Sequence, residues 1–354
     1  MLDIEFLNRY ARQIVLRDIG LEGQEKLGNS TIAVIGVGGL GAPASLLLAS
    51  IGIGKLILVD RDIVSLTDLH RQPLYRPEDV DLPKVEVAEK RLKEINPDIE
   101  IEIYPEPLDW SNVDEIVEKA DIILDGLDSM KARYILNRTV VKHRKPYVFA
   151  GAIEMYGNVT TIIPYETPCL ECFYYVEDEE SLPTCATVGV HPSITTLVAS
   201  IAVSEATKYL VSGEPSLLNT LLYIDLRTVD FNKIEILRDE TCPVCGSKPK
   251  GKPNEVQLEE VELSCARDGS GIYFVNKLIG GLDLEIIGNR VEKMGWRVTR
   301  RSRYSLSFKI DDMKSATILK SGVLIGKSKV HSKEVPNFFR ELHSRLTEEA
   351  IQTR

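Results

Sequence analysis

Absent from this sequence are a long apolar run, an apolar leader, internal repeats and any low-complexity tract. The apolar segment from Ser45 to Ile53 is too short to span a bilayer and is broken by glycine. The opening residues are acidic and polar and do not read as a signal peptide. A cytoplasmic location without a membrane partner is therefore expected. Cysteine is scarce, with six in 354 residues. Without a secretory leader, the paired spacing of four of them argues for metal rather than a disulfide framework. The histidines His70, His143, His191, His331 and His343 share no ligand spacing and are assigned no chemistry.

What remains has the composition of an ordinary soluble protein, 44% hydrophobic and 27% charged, long enough for one large domain and a smaller one. The net charge of -10 is unevenly placed. From Ile286 to the end, 15 Lys/Arg stand against 7 Asp/Glu, so the tail is basic and the rest strongly acidic. Such asymmetry marks either a partner-facing module or a merely solvated basic face.

Apolar periodicity predicts a helix over 5–28, a buried strand at Thr31–Ile35, an apolar helix over Ala42–Ser50 and a strand at Lys55–Val59. Helices over 84–95, 113–119 and 131–143 then alternate with strands at 99–104, 121–124 and 147–150. The alternation implies a parallel sheet in a doubly wound, Rossmann-like α/β domain. After Gly151 an antiparallel extension is expected at 157–164 and 221–237, around a buried helix over 193–211. The Lys-, Pro- and Gly-rich segment Lys248–Asn254 is the linker candidate. The expected organisation is a domain over 1–247, a linker over 248–254, and a small basic α+β module over 255–354. Within that module helices are expected near 282–294 and 333–346, and strands near 297–303, 305–310 and 316–325, the last turned at Lys320-Ser321-Gly322.

Gly36-Val37-Gly38-Gly39-Leu40-Gly41 lies between a strand and a helix and fits the pattern G-x-G-x-x-G, with Asp60 at the end of the next strand. Glycine lets the backbone approach a phosphate closely, the helix N-terminus favours an anion, and the carboxylate would accept from ribose hydroxyls. The pattern says nucleotide without saying which one. An NAD dehydrogenase fits it as well as an ATP enzyme.

Charges elsewhere in the chain separate the two. Arg9-Tyr10-Ala11-Arg12-Gln13 precedes the first strand. Asp60-Arg61-Asp62 and then Asp68-Leu69-His70-Arg71-Gln72 follow the second, and Lys84 opens the next helix. Asp125-Gly126-Leu127-Asp128-Ser129 ends the fourth strand, at the carboxyl edge where such sheets bind ligands. Arg133 and Asn137 follow on one helical face.

In order and spacing this constellation resembles the ThiF/MoeB/HesA family of ubiquitin-activating-like adenylyltransferases, across roughly residues 5–245. The resemblance implies that a carboxylate attacks the α-phosphate of ATP and pyrophosphate leaves, with cations fixed where charge builds. It implies Arg71 and Lys84 as cations within the subunit, Asp128 as a Mg2+ ligand and Asp60 on the ribose. It also implies that Arg12 reaches into a partner subunit as an arginine finger, hence a homodimer, with Arg9 able to share that role. Gly36, Gly38, Gly39, Gly41, Asp62, Asp68, Gln72 and Ser129 would complete the ATP site. Two positions depart from the family pattern. Its usual Asn is Asp68 here, an acceptor-only carboxylate, and the Asn after the magnesium aspartate is Ser129. Asp68 either binds through magnesium or faces away.

Cys169-Leu170-Glu171-Cys172 and Cys242-Pro243-Val244-Cys245-Gly246 have zinc-knuckle spacing. Two knuckles complete a tetrahedral four-thiolate site with no open position, hence a structural Zn2+. Cys185 looks like the cysteine of the family's CxxxGVxxP segment, which takes up the activated carrier as a thioester or a persulfide-derived linkage. Cys265 has no motif, and a buried structural thiol is expected there.

Three activities stand side by side. The first is adenylation of the C-terminal Gly-Gly carboxylate of a small ubiquitin-like sulfur-carrier protein. The second is activation of a ubiquitin-like protein modifier through a thioester at Cys185. The third, an NAD-dependent oxidoreductase, needs a hydride-transfer acid/base pair, and none is found. The basic C-terminal module would dock an acidic carrier or tRNA.

Overall fold

Short buried strands alternate with helices through the first half of the chain, and a parallel sheet follows from that order. The computed structural model describes residues 4–174, 188–265, 270–348 and 350. Strands β1 (Thr31–Ile35), β2 (Lys55–Val59), β3 (Glu100–Tyr104), β4 (Ile122–Asp125) and the start of β5 (Tyr147–Ile153) pair in parallel. Helices α3 (Gly41–Ile51) and α4 (Lys84–Ile95) cover one face. Helices α5 (Val113–Lys119) and α6 (Met130–His143) cover the other, with the short α7 (Leu170–Phe173) against α6. Strands sealed on both faces read as continuous apolar runs, which is why β1, β2 and β4 show little polar alternation.

The sheet continues antiparallel through β6 (Tyr156–Ile162), β7 (Thr220–Asp225) and β8 (Asp230–Glu235), giving the order β3-β2-β1-β4-β5-β6-β7-β8. The segment 221–237 is thus a hairpin of two strands. Helix α8 (Pro192–Ser212) is long and apolar enough to cross a membrane by length and composition. Here it packs against α3, β5, β6 and α2 (Gly20–Gly28), with its alanines and valines in the core.

The helix expected over 5–28 is two helices, α1 (Ile4–Ile14) and α2, separated by turns. Gly20 takes φ +62°, which no continuing right-handed helix can hold.

The C-terminal part forms a second, all-antiparallel sheet of order β11-β12-β13-β14-β10-β9. Its strands are β9 (Val261–Cys265), β10 (Gly271–Val275), β11 (Arg297–Arg301), β12 (Ser305–Lys309), β13 (Lys314–Leu319) and β14 (Leu324–Ser328). Helices α9 (Leu284–Lys293) and α10 (Val335–Thr347) pack on it. The turn at Lys320-Ser321-Gly322 falls between β13 and β14 as expected, with Gly322 at φ +109°. Strands β9 and β10 were not anticipated, although Val261-Glu262-Leu263-Ser264-Cys265 alternates apolar and polar residues.

The second sheet is seated on the first layer. Ile63 packs with Phe274, Leu319, Val323 and Ile325. The Ser321 hydroxyl donates to the Pro105 carbonyl at 2.8 Å. Arg300 donates to the Val80 and Glu78 carbonyls at 2.6 and 2.5 Å. Arg300 is one basic residue of the tail that serves the chain's own backbone.

Candidate active site

β1 and β4 are neighbours whose following segments leave in different directions, so a crevice opens at their carboxyl ends. Gly36 sits at that point with φ +86°. A Cβ on Gly36 would lie 2.6 Å from the Gly126 carbonyl oxygen, and one on Gly126 would lie 2.2 Å from the Gly36 oxygen. A Cβ on Gly41 would lie 1.8 Å from the same Gly36 oxygen. These glycines let two chain segments and a helix N-terminus meet. Gly38 and Gly39 differ: their nearest protein atoms would be 3.8 and 3.5 Å from a Cβ, and both line an open cavity of about 1110 Å³. Among the described residues, no side chain caps the N-terminus of α3.

Around this cavity the structure brings together Asp60, Asp62, Asp68, Arg71, Gln72, Lys84, Asp128 and Ser129. The Asp60 carboxylate accepts from the amides of Val37 at 2.7 Å and Asp62 at 2.8 Å, which fixes it against the glycine loop. Burial pushes its pKa up to about 6, with Lys84 pulling the other way. Lys84 is only 5% exposed; it donates to Asp62 at 2.9 Å and lies 3.8 Å from Asp68. Burial disfavours its charge, but Asp62, Asp68 and Asp60 together raise its pKa well above the usual value. Asp62 is likewise penalised by burial and yet held low by Lys84 and Arg61.

Asp68 faces into this cluster. It accepts from the Ser65 amide at 3.0 Å, Gln72 Nε2 at 2.9 Å and Arg71 Nη2 at 3.3 Å. A carboxylate can accept from all of these at once, which accounts for its tolerance here. With Nε2 so engaged, the buried Gln72 Oε1 is left without a partner among the described residues. Ser129 caps α6, accepting from the Ala132 amide at 3.4 Å, while Asp128 is exposed at the cavity.

Other motif residues turn out to be scaffolding. Asp125 is fully buried and accepts from Arg133 Nε at 3.0 Å and the Tyr147 hydroxyl at 2.5 Å. Asn137 faces away from the cavity, accepting from the Leu170 amide at 3.0 Å. In α1, the Tyr10 ring fills the space beside Gly52, and Gln13 donates to the Ile51 carbonyl at 2.9 Å. Arg9 donates to the Ile95 carbonyl. Arg12 is exposed on the same helix and does not line the cavity of its own chain. Cys185 and the side chain of Cys265 lie outside the described residues.

Sequence reasoning missed a second wall. Glu262 and Phe274 of the C-terminal sheet, with Asn276 and Lys277 just after β10, line the same cavity, and Glu262, Phe274 and Asn276 contact Arg61. The alternation in β9 could have shown a strand, but nothing in sequence spacing placed it here.

Cys169, Cys172, Cys242 and Cys245 converge, with all four Sγ atoms within 4.8 Å of one another. Sγ–Sγ separations are 3.9 Å for Cys169–Cys172, 3.8 Å for Cys169–Cys242 and 3.4 Å for Cys172–Cys245. A metal with bonds near 2.3 Å in a tetrahedron of thiolates needs edges of about 3.8 Å, so the set fits. Gly246 closes the second knuckle, where a Cβ would lie 2.5 Å from the Cys242 carbonyl oxygen. Asn137 and Arg138 bind the first through Leu170 and Glu171.

The ThiF family profile matches residues 10–244. The sulfur carrier protein adenylyltransferase of Thermus thermophilus is 37% identical over 268 residues, 74% of this chain and 97% of that protein. The SAMP-activating enzyme E1 of Haloferax volcanii is 35% identical over 266 residues, covering 75% and 97% of the two chains. The sulfur carrier protein ThiS adenylyltransferase of Escherichia coli is 36% identical over 247 residues, covering 70% and 97%. Among solved structures, Escherichia coli MccB with ATP superposes with a TM-score of 0.61 at 25% identity, covering 69% of this chain and 76% of that one. The three sequence relatives are matched along almost their whole length, yet leave a substantial part of this chain unmatched.

Proposed function

The chain belongs to the ThiF family and is an adenylyltransferase of the ubiquitin-activating-like type. On that footing we propose that it activates the C-terminal carboxylate of a small ubiquitin-like sulfur-carrier protein ending in Gly-Gly. A carboxylate oxygen attacks the α-phosphorus of ATP, the bond to the bridging oxygen breaks, and pyrophosphate leaves, giving an acyl-adenylate. The observation that carries this is the convergence on one cavity of the glycine loop, Asp60, Arg71, Lys84 and Asp128.

In this proposal Gly38 and Gly39 leave room for phosphate beside the uncapped N-terminus of α3. Asp60, already fixed by two amides, takes ribose hydroxyls, and Gln72 stands beside it in the wall of the same cavity. Lys84 and Arg71 hold the pyrophosphate charge as it builds, and Asp128 binds Mg2+. Each cation is paired with a carboxylate before ATP arrives, so Mg2+ is what would let the triphosphate share their ground. Arg12 completes the site from a second subunit. Cys185 would take the carrier in a following step. Zn2+ held by the four clustered cysteines would supply rigidity and no chemistry. The SAMP-activating relative favours the second reading, activation of a protein modifier, with the same first step. Docking of the carrier or of tRNA on the basic C-terminal module is part of this proposal.

Pyrophosphate–ATP exchange tests the first step. Exchange should require a Gly-Gly carrier and Mg2+ and should fall at least a hundredfold in Lys84→Ala, as for loss of a transition-state charge contact worth about 3 kcal/mol. Tight NAD binding with no exchange would sink the proposal.

A further inference from the structure

The cavity wall facing the end of β2 comes from the second sheet, beyond the stretch that the family profile covers. Arg61 reaches that wall and is gripped on three sides. Its Nη1 donates to Asn276 Oδ1 at 3.0 Å, and its Nη2 donates to Glu262 Oε2 at 2.5 Å. Its guanidinium carbon lies 4.3 Å from the centre of the Phe274 ring. Two edges and one face of a flat cation are thereby fixed, and Arg61 still lines the cavity with its side chain 25% exposed.

Both Nη groups of Arg61 already donate to Asn276 and Glu262, so the fork that would grip a phosphate is engaged. What Arg61 retains is a plane, and a guanidinium plane stacks well on an aromatic base. Its position agrees. The glycine loop and Lys84 mark the phosphate end of the cavity, and Asp60 marks the ribose. Arg61 comes directly after Asp60 in the chain and its guanidinium is anchored on the second sheet, while Lys84 donates to Asp62 on the first layer.

We propose that the C-terminal sheet completes the base subsite: Arg61, held flat by Glu262, Asn276 and Phe274, is the platform on which the purine of the nucleotide stacks. Arg61 touches the ligand, and the other three are positioning residues. The proposal rests on reading the cavity as an ATP site. It makes base recognition depend on a module outside the family region.

The test uses the full chain, titrating ATP, UTP and inorganic tripolyphosphate by calorimetry, each with Mg2+. Arg61→Lys keeps the charge and loses the plane. Asn276→Ala and Phe274→Leu loosen an edge and the backing. ATP affinity is expected to fall about tenfold in Arg61→Lys and several-fold in the other two, with the preference for ATP over UTP narrowing. Tripolyphosphate affinity should stay within about twofold throughout, since its contacts lie elsewhere. Thermal midpoints identify any variant that fails to fold; Arg61→Lys, which removes no buried volume from the sheet, then decides. Unchanged ATP affinity in a folded Arg61→Lys overturns the proposal, as does an equal loss for ATP and tripolyphosphate. Wild-type protein that binds neither ligand overturns the ATP-site reading itself, and this subsite with it.

Discussion

At Asp60, burial and charge pull in opposite directions. Burial lifts its pKa to about 6 while Lys84 and two backbone amides favour the ionised form. A folded pKa above the usual carboxylate value has a definite sign. The contribution to stability is complete below about pH 4 and is lost as pH rises through 6. Nucleotide binding runs the other way, because ribose hydroxyls are best taken by the ionised form. Between pH 7.5 and 5.5 ATP affinity should fall about fourfold, as expected for a group titrating near 6. Calorimetric titrations at both values check this, and Asp60→Asn should flatten the dependence. Asp68 teaches a related point. From spacing alone it was a charge beside a triphosphate, whereas its three donors make it an anchor for Gln72 and Arg71.

At the scale of elements, the glycine loop divides into glycines the fold needs and glycines the ligand needs. Gly41→Ala would drive a methyl group to 1.8 Å from the Gly36 oxygen, so the turn must rebuild. A loss of about 2 kcal/mol or more in denaturant unfolding is expected. Gly39→Ala meets nothing closer than 3.5 Å. Its stability should change by less than about 0.5 kcal/mol while ATP binding weakens at least tenfold, because the added methyl occupies ligand space. The knuckles are a second such element. Purified protein should carry one zinc per chain by elemental analysis. Cys245→Ser should release it and lower the melting midpoint by roughly 10 °C, and a metal-free wild type of equal stability would remove the case for zinc.

For the whole molecule, the exposed Arg12 does not line its own chain's cavity, while Tyr10 and Gln13 beside it anchor α1. If Arg12 completes the site of a second copy, Arg12→Ala and Lys84→Ala chains should each be inactive alone. Mixed and reassociated in equal amounts, they should recover about a quarter of wild-type exchange, since half the dimers are mixed and each mixed dimer has one intact site. No recovery in a sample shown to exchange subunits would place Arg12 elsewhere. The same scale sorts the charges of the C-terminal part. Glu262 of β9 meets Arg61 at the cavity, and Arg300 of the basic tail is bound to the backbone of the first layer.

The sequence by itself determined the parallel half of the sheet, the position of the glycine loop, the metal-binding spacing of the cysteines and the family. Each rests on local periodicity or on motifs read along the chain, and neighbours in sequence carry that information. Only the tertiary structure decided which motif residues face the cavity and which serve as scaffold. Asn137 and Arg133 share a helical face, yet one ties down a cysteine knuckle away from the cavity and the other lines the cavity while holding a buried aspartate. Nor could spacing show that Glu262 and Asn276 reach Arg61, some 200 residues away in the chain. That contact depends on how two sheets pack, and the long-range burial of Ile63 under Phe274 and Leu319 is what sets it.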